Sequence, residues 1–158
     1  MTFPEEFLKN FLGNYWFWSA FSAWFLSQML KLFTGVFKEK KRTASAIIFG
    51  SGGMPSAHTA TAVALTTALL MTEGIGSPLP ILSGVLAIVI MTDAASVRLE
   101  VGRHSRFLNR MVDENREEPP KEGHFRTILG HTVAQIAVGA AIGIASALLL
   151  FLIPAVRA

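Results

Sequence analysis

Apolar residues along the chain gather into four blocks, separated by charged stretches or by runs rich in glycine and proline. The first block covers residues 14–37. Tyr15, Trp16, Trp18 and Trp24 are weighted toward its start, where amphipathic rings favour the headgroup layer of a bilayer, and Gln28 and Lys31 interrupt it. The second, residues 58–71, is short and rich in Ala, Thr and Leu; the third, residues 81–97, is interrupted by Asp93; the fourth and longest covers residues 128–153. A helix needs about 20 residues to cross a ~30 Å hydrocarbon core. The pattern therefore predicts a single all-α domain over residues 1–158, an integral membrane helical bundle of about four spans, the second of marginal length. Residues 43–54 are too few to span, and Gly50, Gly52, Gly53 and Pro55 oppose a continuous helix. A short or re-entrant element is expected before Pro55, with Ser56 as the N-cap of the helix that follows.

Composition points the same way. Of 158 residues 51% are hydrophobic and 16% charged, against about a quarter charged in a soluble domain, and the mean hydropathy is +0.46. The net charge of +3 comes from cations clustered between the blocks: Lys38, Lys40, Lys41 and Arg42 form one group, and residues 98–127 carry seven Lys or Arg with six Asp or Glu. Both groups are expected on the cytoplasmic side, with the Lys- and Arg-free turn of residues 72–80 on the other. The charged connection 98–127 is expected to be helical as far as Arg110 and loop-like beyond it. Charge placed this way sets membrane topology rather than a nucleic-acid groove, so no nucleic-acid partner is expected. Glu5, Glu6 and Lys9 lead into an aromatic-rich block without a small-residue cleavage pattern, so no removable signal peptide is read and the cytoplasmic membrane is the expected location. With zero cysteines, thiolate metal sites and cysteine nucleophiles are excluded, and any chemistry falls to His, Asp, Ser, Lys and Arg.

That topology puts five ionisable residues at one depth. Lys31 lies about two turns before the end of the first span, His58 opens the second, Asp93 and Arg98 close the third and His131 opens the fourth. Each alone has a plain structural reading: Lys31 snorkels, Arg98 anchors a boundary, Asp93 forms an ion pair, a lone histidine packs in a core. Their convergence at the cytoplasmic face is the signal, because intramembrane ionisable groups are costly and face bundle interiors or wet cavities. Gln135 shares a helical face with His131 and is placed to fix its ring tautomer, and Gln28 shares one with Lys31. Gly139 and Gly143 continue the stripe of His131 and Gln135, a face that lets a helix approach closely within one chain or between chains of a homo-oligomer. Two imidazoles among cations and helix N-termini suit a phosphate: one neutral ring attacks phosphorus and the other, protonated, supplies the leaving group's proton. His58, His131 and Asp93 would instead supply three metal ligands, a reading that the surrounding positive charge disfavours.

The stretch Gly52-Gly53-Met54-Pro55-Ser56-Ala57-His58-Thr59 resembles the divergent branch of the type-2 phosphatidic acid phosphatase family. Asp93-Ala94-Ala95-Ser96-Val97-Arg98 and Leu129-Gly130-His131-Thr132 with Gln135 resemble two further parts of that branch's pattern, and the likeness extends over about residues 20–150. The resemblance implies a helical membrane bundle that hydrolyses lipid phosphates through a phosphohistidine and needs no cofactor or metal. Carried across, it makes His131 the nucleophile, His58 the general acid, and Ser56 and Arg98 phosphate ligands, with Lys31 joining them by chemistry. Asp93 and Gln28 are expected in support.

The sequence departs from the main family at several positions. No Lys-x6-Arg-Pro motif precedes His58, Ala57 stands where the family has glycine, Leu99 replaces the branch's second arginine, and Gln135 replaces an acid that would stabilise the charged imidazole. The expected function is a membrane phosphatase acting on a lipid phosphomonoester or pyrophosphate. The alternative, which Gln135 favours, is a noncatalytic protein that binds phospholipid headgroups or serves as a helical subunit of a larger assembly.

Overall fold

The computed structural model describes residues 3–38, 54–114, 125 and 130–154. Six helices account for nearly all of them: α1 (Phe3–Leu12), α2 (Tyr15–Lys38), α3 (Ala57–Glu73), α4 (Pro78–Ala95), α5 (Val97–Glu114) and α6 (Val133–Phe151). No strand occurs among the described residues. The short element expected before Pro55, and most of the connection after Glu114, lie outside them.

Local chemistry sets where the helices start. The Asn14 side chain accepts from the Phe17 N–H at 2.8 Å and opens α2. Ser56 caps α3 as its sequence position suggested, and Gly74, with a positive φ of 73°, closes it by donating to the Leu70 carbonyl. Ser77 caps α4, whose first position is Pro78, a residue with no N–H to leave unsatisfied. At α6 the Thr132 side chain accepts from the Gln135 N–H while the Gln135 side chain accepts from the Thr132 N–H, a reciprocal capping box that starts the helix at Val133 rather than at residue 128.

α3 is the central helix: it packs against α2, α4 and α6, and α2 and α6 also pack on each other. The interior is built from small residues. Ala23, Ala60, Ala64, Ala68 and Ala147 are fully buried, while large aliphatic residues such as Leu82, Ile88 and Leu149 face outward, each at least 60% exposed. A water-soluble core buries its large aliphatics, whereas helices in lipid gain by bringing small residues together and leaving Leu, Ile and Val to the acyl chains. Gly139 and Gly143 show how close the approach is: a Cβ on them would lie 2.6 Å from the Ser56 carbonyl oxygen and 2.5 Å from that of Ala60. The glycine face of α6 is thus occupied by α3 of the same chain.

The molecule is an all-α membrane helical bundle. Two helical stretches among the described residues are long and apolar enough to cross a membrane by themselves, Pro78–Glu114, which joins α4 to α5, and Val133–Phe151. α2, with 24 residues, is about 36 Å long and carries the polar interruptions Gln28 and Lys31. Two features differ from the sequence reading. α5 is regular through Glu114, not Arg110, and α1 is a helix where only a polar lead-in was read. In α5 charge is compatible with a regular helix because Arg103, Arg106 and Arg110 share one face.

Candidate functional site

Three helix ends meet at one end of the bundle: the N-termini of α3 and α6 and the C-terminus of α4. The His131 N–H donates to the Ala94 carbonyl at 2.9 Å and the Ser56 N–H donates to the Gln135 carbonyl at 3.2 Å, which ties all three together. Gly130 makes the turn into α6 with φ 80° and lies so close to the backbone of Arg98 and Leu99 that a side chain there would collide with it. α4 ends at Ala95 and α5 begins at Val97, beside the turn of Gly130 and His131, with Ser96 between them still donating to Thr92 and accepting from Glu100.

His131 is buried, 5% exposed, and its Nδ1 lies 3.3 Å from the Gln135 Oε1. That oxygen also accepts from the Thr132 N–H at 3.0 Å. An amide NH2 cannot accept from a backbone N–H, so the capping box fixes which way the Gln135 amide points. The oxygen it turns to His131 can only accept, so Nδ1 carries the proton, and in the neutral ring Nε2 keeps its lone pair.

Charges surround this ring. His131 lies close enough to Lys31, His58 and Arg98 for their charges to act on it, and His58 is similarly within reach of Arg98, Lys31 and Asp93. The structure thus brings together the five ionisable residues singled out in the sequence. Lys31 is 4% exposed, yet no carboxylate among the described residues pairs with it. One turn away Gln28 is also buried, and its Oε1 has no hydrogen-bond partner there. Among the described residues the carboxylate acting on this group is Asp93, and it is committed: it accepts from the Arg98 Nε at 2.5 Å, with both side chains partly exposed. His58 is exposed at the start of α3.

Ser56 is fully buried, and its hydroxyl oxygen accepts from the Thr59 hydroxyl at 2.9 Å and the Thr59 N–H at 3.4 Å. Its visible work is capping, although its own hydroxyl hydrogen remains to donate. Among the described residues no three His, Asp or Glu side chains gather as a metal site, so His58, His131 and Asp93 do not form the three-ligand alternative. Thr132 and Gly130 were missed as supports of His131. The Thr-x-x-Gln spacing of a capping box, legible at residues 132–135, signals the first.

Fold and site together define a helical membrane protein with two histidines, an Arg98–Asp93 ion pair and a buried lysine at one end of the bundle. The chain belongs to the Divergent PAP2 family, whose pattern matches residues 12–146. It is 29% identical, over 151 aligned residues covering 88% of this chain and 95% of the relative, to a protein of Bacillus subtilis (strain 168) named as the uncharacterized membrane protein YuiD. No solved structure matches the chain.

Proposed function

We propose that the protein is a membrane phosphatase that hydrolyses a lipid phosphomonoester or pyrophosphate through a phosphohistidine on His131, at the cytoplasmic face. The observation that carries the reading is the setting of His131: a buried imidazole whose Nδ1 is held by Gln135, within reach of Lys31, which no carboxylate among the described residues pairs.

In this reading Lys31 and Arg98 take up the non-bridging oxygens of the phosphate, aided by the N-terminal ends of α3 and α6. Nε2 of His131 attacks phosphorus in line with the departing oxygen, forming the N–P bond as the P–O bond breaks. His58, protonated, gives its proton to the leaving alkoxide. The now neutral His58 then takes a proton from water, whose oxygen attacks phosphorus and returns His131 free with inorganic phosphate released. Asp93 steadies Arg98 through their ion pair. Gln135 orients the ring but brings no charge to the imidazolium-like state, and this favours slow turnover.

The test is release of phosphate by detergent-solubilised protein from phosphatidate, phosphatidylglycerophosphate and prenyl pyrophosphates in the presence of EDTA. The reading expects release, inhibition by vanadate, and its loss in His131→Ala. A well-folded wild type no more active than His131→Ala on every substrate would overturn it. Headgroup binding that survives His131→Ala without release would place the protein in the noncatalytic class that the amide at Gln135 favours.

A further inference from the structure

The packing of α2 leaves several polar groups in the interior unsatisfied. Trp18 Nε1, Ser19 Oγ, Ser27 Oγ and Gln28 Oε1 are all buried without a hydrogen-bond partner. The two serines have local relief, because a helical hydroxyl can turn to a carbonyl of the preceding turn. Trp18 lies ten residues from Gln28, about 15 Å along the axis and away from the site. Gln28 is different. Its Oε1 can only accept, and the backbone N–H groups around it in mid-helix are already bonded within α2. The side chain is 7% exposed, so bulk water does not supply the missing donor.

The register of α2 on α3 puts Gln28 at the site end. Trp16 donates to the Thr72 hydroxyl and Thr34 to the Met54 carbonyl, each at 2.8 Å, so the two helices run antiparallel, with Lys31 level with the start of α3 and Gln28 level with its first turn. Lys31, three residues on, shares the face of Gln28, is 4% exposed and lies within electrostatic reach of His131 and His58. No carboxylate among the described residues pairs with it, and it does not supply the donor that Gln28 lacks. One ligand satisfies both residues: an anion that also carries a proton. A fully deprotonated oxyanion would set a lone pair against Oε1, whereas a phosphate with a P–OH group brings it a hydrogen while a neighbouring oxygen accepts from the ammonium. We infer that Gln28 and Lys31 form a subsite for a protonated phosphate, Gln28 accepting from P–OH and Lys31 donating to the adjacent oxygen. The inference rests on the reading that the site takes a phosphate, and adds the form it selects: the monoanion of a phosphomonoester, or hydrogen phosphate itself.

The test reads binding rather than turnover. The full chain in uncharged detergent is titrated at neutral pH with inorganic phosphate, sulfate and monofluorophosphate, of which phosphate alone carries a P–OH hydrogen. The other two are dianions, so a site that reads charge alone holds them at least as tightly. Wild type should bind phosphate roughly tenfold or more tightly than either. Gln28→Leu should weaken phosphate alone and level the three, and it should fold at least as firmly as wild type because it removes a buried acceptor that has no donor. A short-chain phosphatidate titrated in parallel separates the two sources: tighter binding than inorganic phosphate identifies the lipid monoester as the ligand, weaker binding the free ion. Failure to bind any of the three anions, or equal affinities in wild type, would overturn the subsite. So would a Gln28→Leu variant that weakens all three alike, since Gln28 would then act through Lys31 or through its amide hydrogens. Equal affinities with phosphate release from lipid intact would sink the subsite and leave the phosphatase reading standing; selective phosphate binding without release would do the reverse.

Discussion

Gln135 does two jobs with one oxygen: it closes the capping box on Thr132 and fixes the tautomer of His131. Two substitutions test them together. Gln135→Ala removes both, and the loss of one orienting hydrogen bond, about 0.5–1.5 kcal/mol, should lower kcat/KM by roughly threefold to tenfold. Gln135→Glu keeps the capping box and adds the charge that the imidazolium-like state lacks, so it should fold as the wild type does and release phosphate faster. Steady-state kinetics on the purified variants decides between them: a Glu variant as impaired as the Ala variant would contradict the orienting role. A neutral His131 and a protonated His58 together require a bell-shaped pH profile of kcat/KM. The acid limb rises as His131 loses its proton, and the alkaline limb falls as His58 does. His58→Gln should cost roughly 10²–10⁴-fold and abolish the alkaline limb. His58, Arg98 and His131 could be picked out from their motifs, and Lys31, Asp93 and Gln28 from being polar within apolar runs. The shared use of the Gln135 oxygen could not, because it depends on two backbone and side-chain groups meeting at one atom.

Helix pairs are governed by how closely their backbones approach. Gly143→Ala would push a methyl to 2.5 Å from the Ala60 carbonyl oxygen, which is backbone and cannot swing away, so α6 must move off α3. Overpacking of this kind costs about 1–3 kcal/mol, measurable as a shift in unfolding by denaturing detergent. An unchanged transition would mean that the α3–α6 contact is looser than described. Gly130→Ala should damage function more than stability, since its positive φ and its place against Leu99 seat the His131 turn. The spacing of Gly139 and Gly143 in the sequence signals a close helix contact, but not that α3 supplies it, because the partner's small residues Ala60 and Ala64 sit in a helix whose apolar residues run all the way round. The full length of α5 was hidden because its charges mark a solvated connection in the sequence, whereas on a helix Arg103, Arg106 and Arg110 share one face.

The whole molecule has two ends with different tasks. At the end away from the site the Tyr15 hydroxyl donates to the Ala147 carbonyl at 2.8 Å, and the Trp16 Nε1 donates to the Thr72 hydroxyl at 2.8 Å, clamping α2 to α6 and α3. Tyr15→Phe leaves a buried carbonyl without its donor and should cost about 1 kcal/mol of stability. With α2 about 36 Å long, kcat/KM should stay at the wild-type value, so a selective loss of activity in that variant would mean the two ends are coupled. At the other end α2, α3, α4, α5 and the turn before α6 bring Lys31, His58, Asp93, Arg98 and His131 within electrostatic reach of one another, and the proposed function rests on what they bind. The most direct test is to quench turnover of a ³²P-labelled lipid phosphate and locate the label on the protein. The account predicts one acid-labile, alkali-stable phosphoryl group, on His131 and absent from His131→Ala. Label on another residue, or phosphate released with no labelled protein at any quench time, would contradict it.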